Sequence, residues 1–303
     1  MITKKEFFIN KKYITSNKWI YLLFGVFITF IFFETRLKIP YQILKGRSKA
    51  YSKAIYSKLN SKDLKDCDIP TLKDIPSNSS LVIGHAYGKS NKQKSISNKV
   101  IKLLDNKKNN INRVIFTGDV FQEPSIHKWN YLNERYKDYF EIFIAPGNHD
   151  VGDSKDNTKR DVFKLSPFYK NDFPYAIFRD KKRFIIEDST LLNWRISEKA
   201  IELLNKKDDN LIILLRHNIP VKELLSLSNS LKYSTDLHDV NQLSKIISNK
   251  IIIISGDSGA YGHTPGFKCN TFKNIKFLTN GIGDRTRDQI IIIKKEKIYK
   301  YKI

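Results

Sequence analysis

Ile142-Phe143-Ile144-Ala145-Pro146-Gly147-Asn148-His149-Asp150 is the stretch on which the fold turns. An apolar, β-branched run of this kind reads as a buried strand. Pro-Gly ends it with a sharp turn, and an amide, an imidazole and a carboxylate follow at the strand's carboxyl end, where open α/β sheets gather their ligands. The same arrangement recurs along the chain. Arg113-Val114-Ile115-Phe116-Thr117 leads into Gly118-Asp119, Leu211 to Arg216 into His217-Asn218-Ile219-Pro220, and Ile251 to Ser255 into Gly256-Asp257-Ser258-Gly259. An earlier run, Leu81-Val82-Ile83-Gly84, opens into His85-Ala86-Tyr87-Gly88. Oxygen and nitrogen donors are thereby expected to converge on one edge of a sheet.

Helical stretches alternate with these runs at Ile96 to Leu104, Lys128 to Tyr139, Ser197 to Leu204 and Val240 to Ile247. That alternation predicts an α/β fold with helices covering a sheet. Gln289 to Lys294 and Lys297 to Ile303 read as a closing pair of strands.

The order and spacing of the motifs resemble the calcineurin-like metallophosphoesterase family. Its signature runs Asp-x-His, Gly-Asp, Gly-Asn-His-Asp/Glu, a lone His, and Gly-His-x-His. The resemblance spans roughly residues 80 to 283, with weaker echoes at Ile186-Glu187-Asp188-Ser189 and at Leu278 to Gly283. It implies two facing β-sheets flanked by helices. Two motifs depart from the pattern: His85-Ala86-Tyr87 stands in place of Asp-x-His, and Gly256-Asp257-Ser258-Gly259 in place of Gly-His-x-His. Carried over by position, the first metal set becomes His85, Tyr87, Asp119 and Gly259, which has no side chain to offer. The second becomes Asp119, Asn148, His217 and Asp257, four usable donors.

Three oxygen donors and one imidazole suit Mn²⁺, Fe²⁺ or Mg²⁺. The resemblance implies a two-metal site; here one or two ions are expected, one held securely and the other weakened or absent. Tyr87 as a phenolate would favour Fe³⁺, and His263 is a reserve donor for the weakened position. The resemblance further implies that His149 protonates a leaving oxygen, with Asp150 orienting it. His127 and His238 have no family counterpart and read as surface residues. The sequence has no Gly-x-x-x-x-Gly-Lys-Ser/Thr loop, no Gly-x-Ser-x-Gly elbow and no Cys-x-x-Cys pair. Cys67 and Cys269 are too few for a zinc cluster, and whether they pair depends on distance and compartment.

The front of the chain differs in character. Trp19 to Phe33 is apolar apart from Gly25 and Thr29, and lysines precede it. At 1.5 Å per residue it falls short of a hydrocarbon core of roughly 30 Å, a gap that Trp19, Lys18 and Arg36 can close by sitting at the interfaces. No small-x-small cleavage pattern follows it. The expected organisation is a basic tail over 1–18, a transmembrane anchor over 19–34, a basic linker over 35–77 and a catalytic domain over 78–303. The formal charge is +23, but it is spread along the chain with no aromatic-basic repeat. This argues against a nucleic-acid partner and for anionic membrane lipids and phosphorylated substrates.

The resulting expectation is a membrane-anchored, metal-dependent phosphoesterase acting on a phosphomonoester or phosphodiester, its catalytic domain on the extracytoplasmic side. A catalytically silent binding module and a nuclease or nucleic-acid-binding protein are the alternatives.

Overall fold

The computed structural model describes residues 64–89, 95–152, 158–170, 172–207, 210–227 and 237–303. The basic tail, the apolar run 19–34 and the linker up to residue 63 lie outside the described residues. Among the described residues, no helix is long and apolar enough to cross a membrane.

The strands are β1 (Lys65–Asp66), β2 (Thr71–Leu72), β3 (Ser79–Ile83), β4 (Ile111–Phe116), β5 (Glu141–Ile144), β6 (Tyr175–Arg179) and β7 (Lys182–Ile186). They continue with β8 (Leu211–Arg216), β9 (Ile251–Ser255), β10 (Phe267–Phe272), β11 (Ile275–Asn280), β12 (Gln289–Lys294) and β13 (Lys297–Lys302). One sheet has the order β2-β13-β12-β3-β4-β5 and the other β1-β10-β11-β9-β8-β7-β6. Within them β3, β4 and β5 run parallel, as do β7, β8, β9 and β11.

Side-chain alternation explains why the two sheets stack. In β4, Val114 and Phe116 face one apolar cluster and Ile115 the other. In β8 and β9, Ile212, Leu214, Ile251 and Ile253 face outward toward helices, while Ile213, Leu215, Ile252 and Ile254 face the opposite sheet. Strands covered on both faces need unbroken apolar sequence, which is what these runs supply. The inner layer joins Val82, Ile115 and Ile291 of one sheet to Ile213, Ile254 and Leu278 of the other.

The helices α1 (Asn98–Lys107), α2 (Ile126–Tyr136), α3 (Asn148–Val151), α4 (Thr158–Lys164), α5 (Glu198–Asn205) and α6 (Val240–Ile246) connect the strands. Serine caps start three of them. Ser97 accepts from the Lys99 amide, Ser125 from Lys128 and Ser197 from Ala200, each satisfying a donor the first turn leaves open. Val100, Leu103 and Leu104 of α1 and Trp129, Leu132 and Tyr136 of α2 cover the outer face of the first sheet. Ala200, Leu204, Val240 and Leu243 of α5 and α6 cover that of the second.

Two sequence expectations are corrected here. The folded body begins inside the stretch assigned as linker, because β1 pairs with β10 and β2 with β13; two-residue edge strands carry no periodicity to read. Cys67 and Cys269 form a disulfide with their Cα atoms 5.1 Å apart, tying this entry segment to β10. His238 is buried, not superficial, at 6% exposure. Its Nε2 accepts the Ile196 amide at 3.3 Å, and its backbone bridges Val221. His127 is exposed on α2, as expected.

Candidate metal centre

The carboxyl ends of the parallel strands of both sheets meet at one edge. The Asn280 side chain donates to Val82 O and the Ile282 amide to Gly84 O, stitching the ends together. Gly118 (φ +82) lies so close to His217 that a Cβ there would collide with the imidazole. Asp119 and His85 both have positive φ, at 56° and 49°, conformations that non-glycine residues hold only where their surroundings fix them.

Asp119, His217 and Asp257 are all buried, with one ligand atom from each within 4.8 Å of the others. His217 Nε2 lies 3.4 Å from Asp119 Oδ1 and 3.6 Å from Asp257 Oδ1, yet makes no well-formed hydrogen bond. Its Nδ1 sits 3.1 Å from Thr117 O. A carbonyl only accepts, so Nδ1 donates and Nε2 faces the carboxylates, the posture of a metal-ligating histidine. His85 is arranged in the same way. Its Nδ1 is 3.1 Å from Ile282 O and its Nε2 3.7 Å from the other Asp119 oxygen, so Asp119 presents one oxygen to each imidazole.

The electrostatics follow from this crowding. Burial opposes ionisation of Asp119, but His217, with His85 and His149 behind it, holds its carboxyl well below the usual range. Burial would lower His217; the charge of Asp119, with that of Asp257, instead raises it to about 10. Burial pushes Asp257 up, and the Asp119 charge adds to that against His217. Two buried carboxylates sharing one imidazole form an acceptor-rich pocket that a divalent cation could neutralise, with His217 Nε2 as the nitrogen donor of the set.

The remaining predicted residues divide. Asn148 is the exposed first residue of α3. The His149 amide donates to Asp119 Oδ1 at 3.0 Å, which brings its ring beside the cluster, 5.2 Å from that of Tyr87. His149 Nδ1 faces Gln122 O at 3.1 Å. Asp150, expected to orient that ring, is occupied elsewhere. Its Oδ1 accepts the Val120 and Phe121 amides at 2.9 and 3.3 Å and its Oδ2 the Gly147 amide at 3.0 Å. It thus ties the Asp119 loop to the His149 loop. Burial, reinforced by the Asp119 charge, pushes its carboxyl up to about 7.

Tyr87 stacks obliquely on His85 at 4.2 Å between centroids, and burial together with Asp119 raises its phenol, which disfavours a phenolate. Gly259 has φ +93, and a Cβ there would lie 2.8 Å from Gly281 O and 2.9 Å from Gly266 O; the position has no room for the missing imidazole. His263 is exposed and stacks on Tyr261.

Sequence reasoning missed two supports. Arg216, fully buried beside His217, donates to Glu187 Oε2 at 2.8 Å and to Asn218 O at 2.8 Å, bracing the His217 backbone. Tyr261 donates to Asp257 Oδ1 at 2.7 Å. The echo at Glu187-Asp188-Ser189 was the available signal for the first, since the Ser189 hydroxyl pairs with Asn218.

Two stacked sheets with a carboxylate-imidazole cluster at their joint carboxyl edge define a metallophosphoesterase-type α/β protein. The model of the calcineurin-like phosphoesterase family matches residues 85–282, well over half of the 303 residues, and the chain belongs to that family. It is a divergent member, altered in the first and last metal motifs. A comparison with curated proteins finds no match.

Similar solved structures include GAP50, the anchor in the inner membrane complex of Plasmodium, at 13% identity, covering 74% of this chain and 83% of that one with a TM-score of 0.43. Phosphopantetheinyl hydrolase (PptH) from Mycobacterium tuberculosis is similar at 9% identity, 69% and 92% coverage and a TM-score of 0.42. Vps29 from Chaetomium thermophilum follows at 12% identity, 72% and 80% coverage and 0.34. Likeness at this level carries no weight for substrate or activity.

Proposed function

We propose that this protein is a metal-dependent phosphoesterase that hydrolyses a phosphomonoester or phosphodiester with metal-activated water. The observation that carries the reading is the buried Nε2 of His217, which faces the Asp119 and Asp257 carboxylates at 3.4 and 3.6 Å without a well-formed hydrogen bond to either. Asp119, Asn148, His217 and Asp257 would hold one ion, Mn, Fe or Mg by the character of the donors. Bound there, such an ion would supply a bound water of lowered pKa and a Lewis acid for a phosphoryl oxygen. Tyr87 and Gly259 weaken the second position, with His85 its remaining imidazole.

His149 is assigned the proton-transfer role. Its Nδ1 is committed to the Gln122 carbonyl, leaving Nε2 to serve a leaving oxygen. Asp150 supports this by holding the loop rather than by touching the ring. The expected result is that His149→Ala lowers turnover of an aryl phosphate by roughly 10²-fold with metal content unchanged. Turnover at the parent rate would remove the assignment.

We place the chain in a membrane through residues 19–34, after a basic tail over 1–18 and before a basic linker from residue 35. Anionic headgroups would attract the flanking lysines. The Cys67–Cys269 disulfide supports an extracytoplasmic catalytic domain, because such bonds persist in oxidising compartments. A second reading, a silent binding module, is favoured by Gly259, where the backbone leaves no room for a ligand. Absence of turnover in a metal-loaded sample would favour it.

A further inference from the structure

The closing motif lost an imidazole at Gly259, and the loop that follows is nonetheless closely built. Gly259 turns the chain at φ +93. Its amide donates to Thr264 Oγ1 at 3.0 Å, and that hydroxyl donates to Tyr261 O at 3.1 Å. Arg285 donates to Ala260 O at 2.5 Å, and Arg287 to Tyr261 O and, at 3.1 Å, to Gly262 O. These anchors act on the backbone on either side of Tyr261 and fix where its phenol goes. The ring meets the His85 ring edge-on at 6.0 Å and stacks on His263 at 5.8 Å. The hydroxyl ends 2.7 Å from Asp257 Oδ1, the oxygen that lies 3.6 Å from His217 Nε2.

We propose that Tyr261 is a positioning residue for metal capture: its hydroxyl fixes the Asp257 carboxylate in the orientation that completes the set with Asp119 and His217. This rests on the metal reading given above. A ligating carboxylate left to rotate loses part of each encounter with an ion, and outer partners of ligands are typically worth 10- to 100-fold in affinity. The loop that no longer supplies a histidine ligand supplies a phenol to the ligand that remains. Tyr261 acts through Asp257 and is not itself a ligand, since its hydroxyl is donated to the carboxylate.

The test is Mn²⁺ binding to the full-length protein in detergent, measured by calorimetry alongside thermal melting of the metal-free form. Tyr261→Phe is expected to raise the Mn²⁺ Kd by about 10- to 100-fold with little change in the metal-free melting temperature. Thr264→Val, which unties the loop but keeps the phenol, is expected to raise it less. If the phenylalanine variant does not fold, the Thr264→Val comparison decides. Unchanged Kd in the folded variants overturns the proposal, as does an affinity loss that tracks the loss of fold stability. Absence of Mn²⁺ binding by the parent protein would instead remove the metal reading and Tyr261's role with it.

Discussion

Asp150 offers a sharp test of how the site is assembled, because its carboxylate bridges two loops through three buried amides. Asp150→Ala leaves the Val120, Phe121 and Gly147 N–H groups without their acceptor, in a pocket where Asp150 itself is fully buried. An unsatisfied buried donor costs about 1–3 kcal/mol. Water entering the space vacated by the carboxylate offsets part of this, so the expected loss is about 3–5 kcal/mol, a large fraction of a typical domain's stability. Asp150→Asn keeps the shape and an acceptor for Val120 and Phe121, but turns an amide donor toward Gly147 N–H. Its expected cost is about 1–3 kcal/mol. Urea denaturation of the metal-free protein, with the disulfide intact, measures both. A loss below about 1 kcal/mol for the alanine variant would refute the view that Asp150 is the tie between the Asp119 and His149 loops.

Other consequences are equally direct. Burial, followed by the Arg195 and Arg216 charges, lowers His238 to about 4; its stabilising contribution is therefore complete above about 6.5 and is lost as pH falls toward 4, where the unfolded chain binds the extra proton. Relative to His238→Gln, the parent should lose about 3 kcal/mol across that window, and parallel stability curves would contradict the buried neutral imidazole. Cys67→Ser should cost about 2–5 kcal/mol, and the parent should lose a similar amount under reducing agent; insensitivity to both would mean that the bond is not formed. A membrane-impermeant thiol reagent should label reduced Cys67 on intact cells, whereas labelling only after membrane rupture would place the domain inside.

Much of the architecture was legible because buried strands need uninterrupted apolar sequence. The runs read over Arg113–Thr117, Ile142–Pro146, Leu211–Arg216 and Ile251–Ser255 proved to carry the strands Ile111–Phe116, Glu141–Ile144, Leu211–Arg216 and Ile251–Ser255, with the polar motifs at their carboxyl ends. Asp119, His217 and Asp257 could be picked out because each follows such a run at once or after a single glycine, so strand position largely fixes where the residue goes. What escaped depended on contacts between segments distant in sequence. Asp150 follows His149, so adjacency suggested a pair, but helix α3 turns its carboxylate toward loop amides some thirty residues earlier. His238 lies in a polar stretch and is buried only because the residues before α5 pack over it. Tyr261 carried no signal, since its reach to Asp257 depends on a loop shaped by Arg285 and Arg287. The entry strands β1 and β2 were too short to show a period.

The central claim is that one ion is held by the cluster of Asp119, His217 and Asp257, with Asn148 as the proposed fourth donor, and that the neighbouring position has been lost or weakened. Elemental analysis of the purified full-length protein after dialysis tests it most directly, with Asp119→Ala measured beside it. The account predicts about one tightly held Mn, Fe or Mg ion per chain, absent from the Asp119 variant. Two ions retained equally, or none in the parent protein, would contradict it.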